Sequence, residues 1–364
     1  MDAFEANAEG RVGSGMYGLE LLRQFQKSSH VFDILLPDPP SMDLPKASDR
    51  FVYHVLRPKR FWTRLSLPKY LLTTKQKFDV FFSPTHYIPR WSPIPIVATI
   101  FDLSFLELEF SSFFRKKDLF QLKEGTAYTV RHASHMITIS EFSKNAIIEK
   151  YKIPGENVTV TPLAADDRFS APMPHTRLHE VQKRYRLPSK FVLFVGTLQP
   201  RKNVIGLLQA FHLFLLDHPD CSLVIVGKKG WIYDEIFLAV KKLDLERHVT
   251  FLDYVPENDL PAIMRHASLF VFPSLYEGFG IPILEAMASG VPVVASSVSS
   301  LPEVVGKAGV LVDPNDVSSM TRGMERALQS ASVFKTRGKL RAQQFSWEKT
   351  AERTIRVLER VAHG

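Results

Sequence analysis

The chain has 364 residues, 45% of them apolar and 23% charged, with a net charge of +8 and a single cysteine. That length accommodates two domains, and this composition excludes a disordered chain. Cys221 alone permits neither an internal disulfide framework nor a cysteine-cluster metal site; with no apolar run of membrane-spanning length and no basic-then-apolar leader, a cytoplasmic protein is expected.

Apolar, β-favouring runs alternate with helical patterns along the whole chain, which predicts an α/β fold with parallel sheets. Asp2-Ala3-Phe4-Glu5-Ala6-Asn7 reads as the end of a first strand and its loop, without the strand's apolar body. Either the start lies too far downstream or the sheet lacks a strand. Gly13-Ser14-Gly15-Met16-Tyr17-Gly18 matches G-x-G-x-x-G, yet the acidic residue that a dinucleotide fingerprint needs is not persuasively placed, since Asp33 lies inside a strand and Asp38 follows a proline. A glycine loop opening the helix Leu19–Gln26, or a purely structural turn, fits better than a nicotinamide site.

Further strands are expected at Val31–Leu36, Val80–Phe82, Ile96–Ile100, Met136–Ile139 and Val158–Val160. From Phe51 to Phe78 the chain carries Arg57, Lys59, Arg60, Arg64, Lys69, Lys75 and Lys77 and no acidic residue, interleaved with Phe61, Trp62, Leu65, Leu67 and Tyr70. Such a stretch suits a solvated loop and helix with its aromatics packed inward, or peripheral contact with an anionic membrane and a lipid-diphosphate acceptor. Phe113-Phe114-Arg115-Lys116-Lys117 carries the same double meaning. His86, after Phe81-Phe82, is a further candidate at a strand end. No nucleic-acid signature accompanies the positive charge, so nucleotide diphosphates or anionic lipids are the expected partners rather than nucleic acid.

Ala164–Lys190, broken by Pro172, Pro174 and Pro188, reads as an interdomain linker with a short helix near Thr176–Tyr185. A second strand series follows at Phe191–Val195, Ser222–Val226, Val249–Leu252, Leu269–Phe272 and Val291–Ala295. Helical patterns cover Asn203–Asp217, Trp231–Leu243 and, amphipathically, Trp347–Ala362. Two features of this half carry chemistry. Arg201 and Lys202 follow the strand Phe191–Val195, at the carboxyl end where open α/β sheets bind ligands; a guanidinium fork beside an ammonium suits a diphosphate. Glu277 and Glu285 flank a glycine-bearing turn, Gly278-Phe279-Gly280-Ile281, which aims backbone N–H groups and a positive helix end at one spot. An ionised carboxylate on each side of that spot accepts from hydroxyl groups. A nucleotide-diphospho sugar has the phosphates and hydroxyls for such a pocket.

Glu277–Glu285 resembles the E-x7-E motif of retaining glycosyltransferases of family 4, and the chain resembles bacterial mannosyltransferases of group 1. The resemblance continues through Gly290–Ser296, Ser300–Gly306 and Gly309–Pro314. It implies the GT-B fold: two Rossmann-like parallel-sheet domains facing an interdomain cleft, residues 1–168 on the acceptor side and 169–346 binding the donor, with the helix 347–364 packing back on the first. The implied reaction moves a hexose, first mannose from GDP-mannose and next a sugar from a UDP-sugar, to a hydroxyl acceptor, free or lipid-linked. No metal and no cofactor beyond the donor are implied. By resemblance Arg201 and Lys202 hold the donor phosphates, Glu277 lies beside the hexose and Glu285 accepts from the ribose. Gly278, Phe279, Gly280 and Ile281 then supply N–H groups, Gly13, Ser14 and Gly15 approach the phosphates, and Gly227, Tyr254 and Val255 surround the base. Val97–Phe105 occupies the place where relatives read T-I-H-D-L-S-F. The family histidine falls on Phe101, which exchanges no proton, leaving Asp102 to bind donor hydroxyls, take a proton or cap the next turn. Phe101 also motivates an alternative, a non-catalytic nucleotide-sugar-binding protein.

Overall fold

A computed structural model describes residues 1–11, 13–107, 110, 115–230 and 233–364. It divides into two compact units, Met1–Leu163 with Ser346–Gly364, and Ala164–Phe345.

In the first unit β1 (Phe32–Leu36) pairs in parallel with β2 (Phe51–Val55), and a separate parallel sheet runs in the order β3 (Phe81–Ser83), β4 (Ile96–Thr99), β5 (His135–Thr138), β6 (Val158–Val160). Met1–Ala3 lie between β1 and β3 and join the two sheets. The Met1 ammonium donates to the Asp33 carbonyl at 2.7 Å, Leu35 N–H to Met1 at 2.9 Å, and Ala3 N–H to Leu35 at 3.0 Å. On the other side Asp2 N–H donates to Phe82 at 2.9 Å. Met1–Ala3 therefore occupy the central position between the two sheets. Burial lowers the Met1 ammonium to a pKa of about 6, because a buried charge loses its hydration. A cavity of about 380 Å³ adjoins Met1, walled by Phe32, Phe81, Leu71 and Leu358.

Each strand forecast in this half is present within one or two residues, whereas β2 was passed over. Its Val52, Tyr53 and His54 are only partly buried, and His54 pairs with Asp33, so it lacks the continuous apolar run of a central strand. The helix expected at Leu19–Gln26 spans Ser14–Phe25 instead, because it starts directly at Gly13, whose φ of 49° ends the preceding loop. The closing helix, Trp347–His363, is held on the first unit by Thr350 Oγ1 donating to the Pro162 carbonyl at 2.5 Å. Its buried face carries Ala351, Thr354, Val357 and Leu358. Among the described residues no helix is long and apolar enough to cross a membrane.

The second unit holds one parallel sheet in the order β12 (Val310–Val312), β11 (Val293–Ser296), β10 (Leu269–Phe272), β7 (Phe191–Val195), β8 (Ser222–Val226), β9 (Val249–Phe251). β7, β8 and β10 are almost wholly buried, which explains their unbroken apolar runs. The segment read as a linker folds into this unit instead. Its helix, His175–Arg184, brings Arg177 and Arg184 onto the buried Asp259, whose second oxygen also accepts from the Tyr185 hydroxyl at 2.7 Å. Three donors on one carboxylate anchor the segment, a link no local pattern reveals. The expected helix Trp231–Leu243 is seen as Asp234–Lys242; Trp231, Phe113 and Phe114 lie outside the described residues.

Candidate active site

All strands of the second sheet point one way, so the loops leaving β7, β8, β9 and β10 gather along one edge. Strand order reverses between β7 and its neighbour β10, the place where open α/β sheets form a ligand crevice. Arg201 and Lys202 follow β7 on a short 3-10 turn, Pro200–Lys202, and Glu277 follows β10. The three side chains meet there. Glu277 accepts from Lys202 at 2.5 Å and from Arg201 at 3.0 Å. Arg201 also donates to the Tyr276 carbonyl, and the Lys202 ammonium lies 4.8 Å from the centre of the Phe272 ring.

Burial by itself would raise the Glu277 carboxyl, but Lys202 and then Arg201 outweigh it and hold the pKa at about 2. The carboxylate stays ionised and the cluster carries a net charge of about +1 at neutral pH. Two hydroxyls fix the backbone. Glu277 N–H donates to Ser299 Oγ at 3.0 Å, and Ser300 Oγ donates to the Glu277 carbonyl at 2.8 Å. The serines explain the Ser300 motif of the sequence. Pro314 is explained likewise: Asn203, with φ 52°, ends the basic turn and donates to its carbonyl at 2.7 Å.

Gly278–Ile281 leads into the helix Ile281–Ala288. Gly280 takes φ 106°, and a Cβ there would meet Leu301 at 2.8 Å, so only glycine fits. Pro282 has no N–H and the Ile283 N–H donates to the Gly280 carbonyl at 3.0 Å, so of the first turn of this helix the Ile281 N–H is the one placed to meet an anion. The Phe279 ring is buried edge-on against Phe345 at 5.8 Å, so its backbone alone can contribute.

Glu285 lies in the second turn of that helix beside Asp166, Arg168 and Glu257, none of which sequence reasoning had singled out. Asp166 holds the Arg168 guanidinium through two contacts of 2.9 Å, and Glu257 reaches it at 3.3 Å. Burial, then Asp166, pushes the Glu285 carboxyl up to about 8. The side chain is half-buried, so water tempers this shift without reversing it. Where the sequence suggests an ionised, accept-only Glu285, burial and Asp166 favour the protonated carboxyl, which can donate as well as accept. A folded pKa above the unfolded value means stability that is full below the ordinary 4.5 and lost as pH rises through about 8. Glu285→Gln is expected to flatten the pH dependence of Tm across that window; an unchanged slope by differential scanning calorimetry would refute it.

Gly227 closes the loop after β8, where a Cβ would sit 1.9 Å from the Gly196 carbonyl oxygen. Its N–H donates to the Asp253 carbonyl at 2.8 Å, tying three of the strand ends together. Asp253 adopts φ 48°, a left-handed conformation that few non-glycine residues take. Tyr254 is exposed under the Lys228 ammonium, 4.7 Å from its ring centre, while Val255 is buried. Tyr254 thus presents an aromatic face beside a cation.

The remaining candidates lie in the first unit. Ser14 hydrogen-bonds Glu5, and a Cβ at Gly15 would meet the Glu5 carbonyl oxygen at 2.8 Å, so Gly13–Gly18 packs the helix start closely on the Glu5–Ala6 turn. Asp102 Oδ1 accepts from Ser104 N–H at 2.8 Å and thereby caps the following turn. Phe101 stacks edge-on against Tyr17 at 5.2 Å, an aromatic packing position that a histidine would fill less well. His86 is pushed down to about 4 by burial and is neutral.

Comparison with known proteins agrees with this geometry. Residues 12–169 match the model of Glycosyltransferase Family 4 and residues 178–347 that of Glycosyl transferases group 1. The O-antigen chain mannosyltransferase B of Escherichia coli is 35% identical over 309 residues, 83% of this chain and 78% of that protein. Among solved structures, the sucrose-phosphate synthase of Thermosynechococcus elongatus superposes with a TM-score of 0.76 at 20% identity, covering 99% of this chain and 98% of the other. An Anabaena protein solved with UDP and glucose gives 0.75 at 19%, covering 98% of each. Two Rossmann-like parallel sheets of this kind are the GT-B fold, and with both halves matched and that identity across most of its length, the chain belongs to the group 1, family 4 glycosyltransferases.

Proposed function

We propose that the chain transfers mannose from GDP-mannose to a hydroxyl acceptor with retention of anomeric configuration, in building a glycan or lipopolysaccharide-type chain. The observation that carries this reading is the Arg201–Glu277–Lys202 cluster at the strand-order reversal of the second sheet. Mannose as the sugar rests on the name of the E. coli relative. A UDP-sugar donor is the second reading, favoured by the Anabaena structure that holds UDP and glucose. A thermal-shift panel of GDP-mannose, UDP-glucose, GDP and UDP decides between them. Stabilisation by UDP compounds alone overturns the first, and no stabilisation by any favours a protein without donor chemistry.

In the proposed reaction the acceptor oxygen bonds to the sugar C1 on the face the diphosphate leaves. The C1–O bond to phosphate breaks, its electron pair goes to the diphosphate, and the acceptor's proton passes to a diphosphate oxygen. Arg201 and Lys202 stabilise the negative charge that grows there, and the Gly278–Ile281 N–H groups assist. Neither a metal nor a further cofactor has a part in this scheme, since two fixed cations and a helix end meet the charge requirement. Asp102 orients donor or acceptor hydroxyls. Asp102→Asn keeps the capping oxygen but removes the charge, so it is expected to lower kcat about tenfold with little change in donor KM. Unchanged kcat would remove Asp102 from the chemistry.

A lipid-linked acceptor and a peripheral site on the inner face of the membrane belong to the same proposal. In Arg57–Lys77 the side chains of Trp62, Leu67 and Leu71 turn inward, whereas Phe61, Leu65 and Leu72 are exposed among Arg60, Arg64 and Lys69. Cosedimentation with phosphatidylglycerol vesicles, absent with neutral ones and lost in high salt, would support this; equal partition into neutral vesicles would contradict it.

A further inference from the structure

We propose that Ser299 is a positioning residue for Glu277, its hydroxyl fixing the backbone from which the carboxylate reaches Arg201 and Lys202. The proposal rests on the glycosyl-transfer reading and adds to it a residue that acts through Glu277 rather than on the sugar.

Glu277 sits in a loop, residues 273–280, that joins β10 to the helix Ile281–Ala288 and carries no regular structure. Its neighbours are the loops leaving β7 and β11, as the strand order β11, β10, β7 dictates. On the β7 side, Leu275 N–H donates to the Arg201 carbonyl at 2.8 Å. On the β11 side, Glu277 N–H donates to Ser299 Oγ at 3.0 Å, and that hydroxyl donates in turn to the Val298 carbonyl at 2.8 Å. Its one hydrogen is thus committed, and the oxygen is left to accept from Glu277. The β11 loop is itself tied outward, by Ser297 N–H on the Val312 carbonyl at 2.8 Å. Glu277 is therefore pinned from both sides.

Ser299 holds φ 52°, a left-handed conformation that glycine enters freely and a residue with a Cβ does not. A glycine would relax this turn, but it would remove the acceptor and orphan the Glu277 N–H. A strained backbone that carries an engaged hydroxyl beside a reacting centre points to positioning rather than to a simple turn. The charges create the need for it. Arg201 and Lys202 grip the Glu277 carboxylate in the free protein, yet in the proposed reaction both turn to the diphosphate. Their hold on Glu277 weakens as the donor binds, whereas a neutral hydrogen bond to its backbone persists. A small displacement of such a carboxylate is enough to slow the reaction.

Two variants separate the hydroxyl from the strain. Ser299→Ala loses the hydroxyl and keeps the strained φ, whereas Ser299→Gly loses the hydroxyl and relaxes the backbone. Turnover of GDP-mannose and of UDP-glucose is followed as release of the nucleoside diphosphate. We expect kcat to fall about tenfold in both variants, with donor KM within about twofold of wild type. Tm should fall in Ser299→Ala and hold in Ser299→Gly, where the relaxed backbone offsets the lost bond. A kcat that recovers in Ser299→Gly would mean that the position serves the turn alone and would overturn the proposal. A rise of KM matching the fall of kcat in both variants would overturn it too. Absence of release from the wild type with both donors counts against the glycosyl-transfer reading. The 13C resonance of the Glu277 carboxyl, read at neutral pH, then still decides Ser299. It should shift in both variants, and a resonance unmoved in both sinks the positioning role.

Discussion

Glu277→Ala is expected to lower transfer about 10²–10³-fold while GDP binds at least as tightly as to the wild type. The two halves of this result come from one geometry. Glu277 neutralises half of the charge of Arg201 and Lys202 and holds both side chains in place. Without it the cations gain an anion most readily from the diphosphate, so product affinity is kept or improved. Positioning beside the hexose is lost, and with it turnover. The unliganded variant should also be destabilised by about 2–3 kcal/mol, below the range for fully buried pairs because the Arg201 side chain keeps 22% of its surface in water. Most of that loss should return on adding GDP. Steady-state kinetics with calorimetric titration of GDP checks the pattern; a parallel loss of GDP binding would mean that Glu277 is a scaffold residue for the whole loop.

Lys202→Ala should act in the opposite sense on binding. A charge-assisted hydrogen bond to the diphosphate contributes about 1.5–3 kcal/mol, so GDP affinity is expected to fall about 10–100-fold, with guanosine affinity nearly unchanged. Lys202 is also the larger of the two attractions that keep Glu277 ionised, so its removal raises the Glu277 pKa. Activity in this variant should therefore decline at a higher pH on the acid side than in the wild type. Equal losses for GDP and guanosine, measured by titration calorimetry, would contradict a phosphate clamp. The two variants form a pair: one separates turnover from binding, the other separates phosphate from base.

The central strands of both sheets were legible because burial on both faces writes them as unbroken apolar runs, β7, β8 and β10 most clearly. β2 was not, since a half-exposed edge containing Tyr53 and His54 leaves no such run. Arg201, Lys202 and Glu277 were each visible from their position after a strand. That one carboxylate binds both cations was not, because Lys202 and Glu277 are 75 positions apart in the chain and the cluster forms only through strand order. Glu285 was visible as the second glutamate of its motif, whereas the surroundings that raise its pKa were not, because Asp166 and Glu257 reach it from two distant loops. The bond from the Trp62 indole N–H to Asp2 Oδ1, 3.0 Å long and spanning 60 positions, was hidden for the same reason.

The three-residue splice at Met1–Ala3 has a consequence for how the molecule opens. A two-stranded parallel ribbon does not persist on its own, so β1 and β2 rely on the rungs that Met1, Asp2 and Ala3 provide and on the burial of Ile34, Leu35 and Leu36. Opening at this splice exposes the ribbon without breaking β3–β6. Amide hydrogen exchange is then expected to run in two tiers within one unit, early for Ile34 and Leu36 and late for Val97 and Ile137. Protease cleavage between β1 and β2 should report the population of the opened form before global unfolding begins.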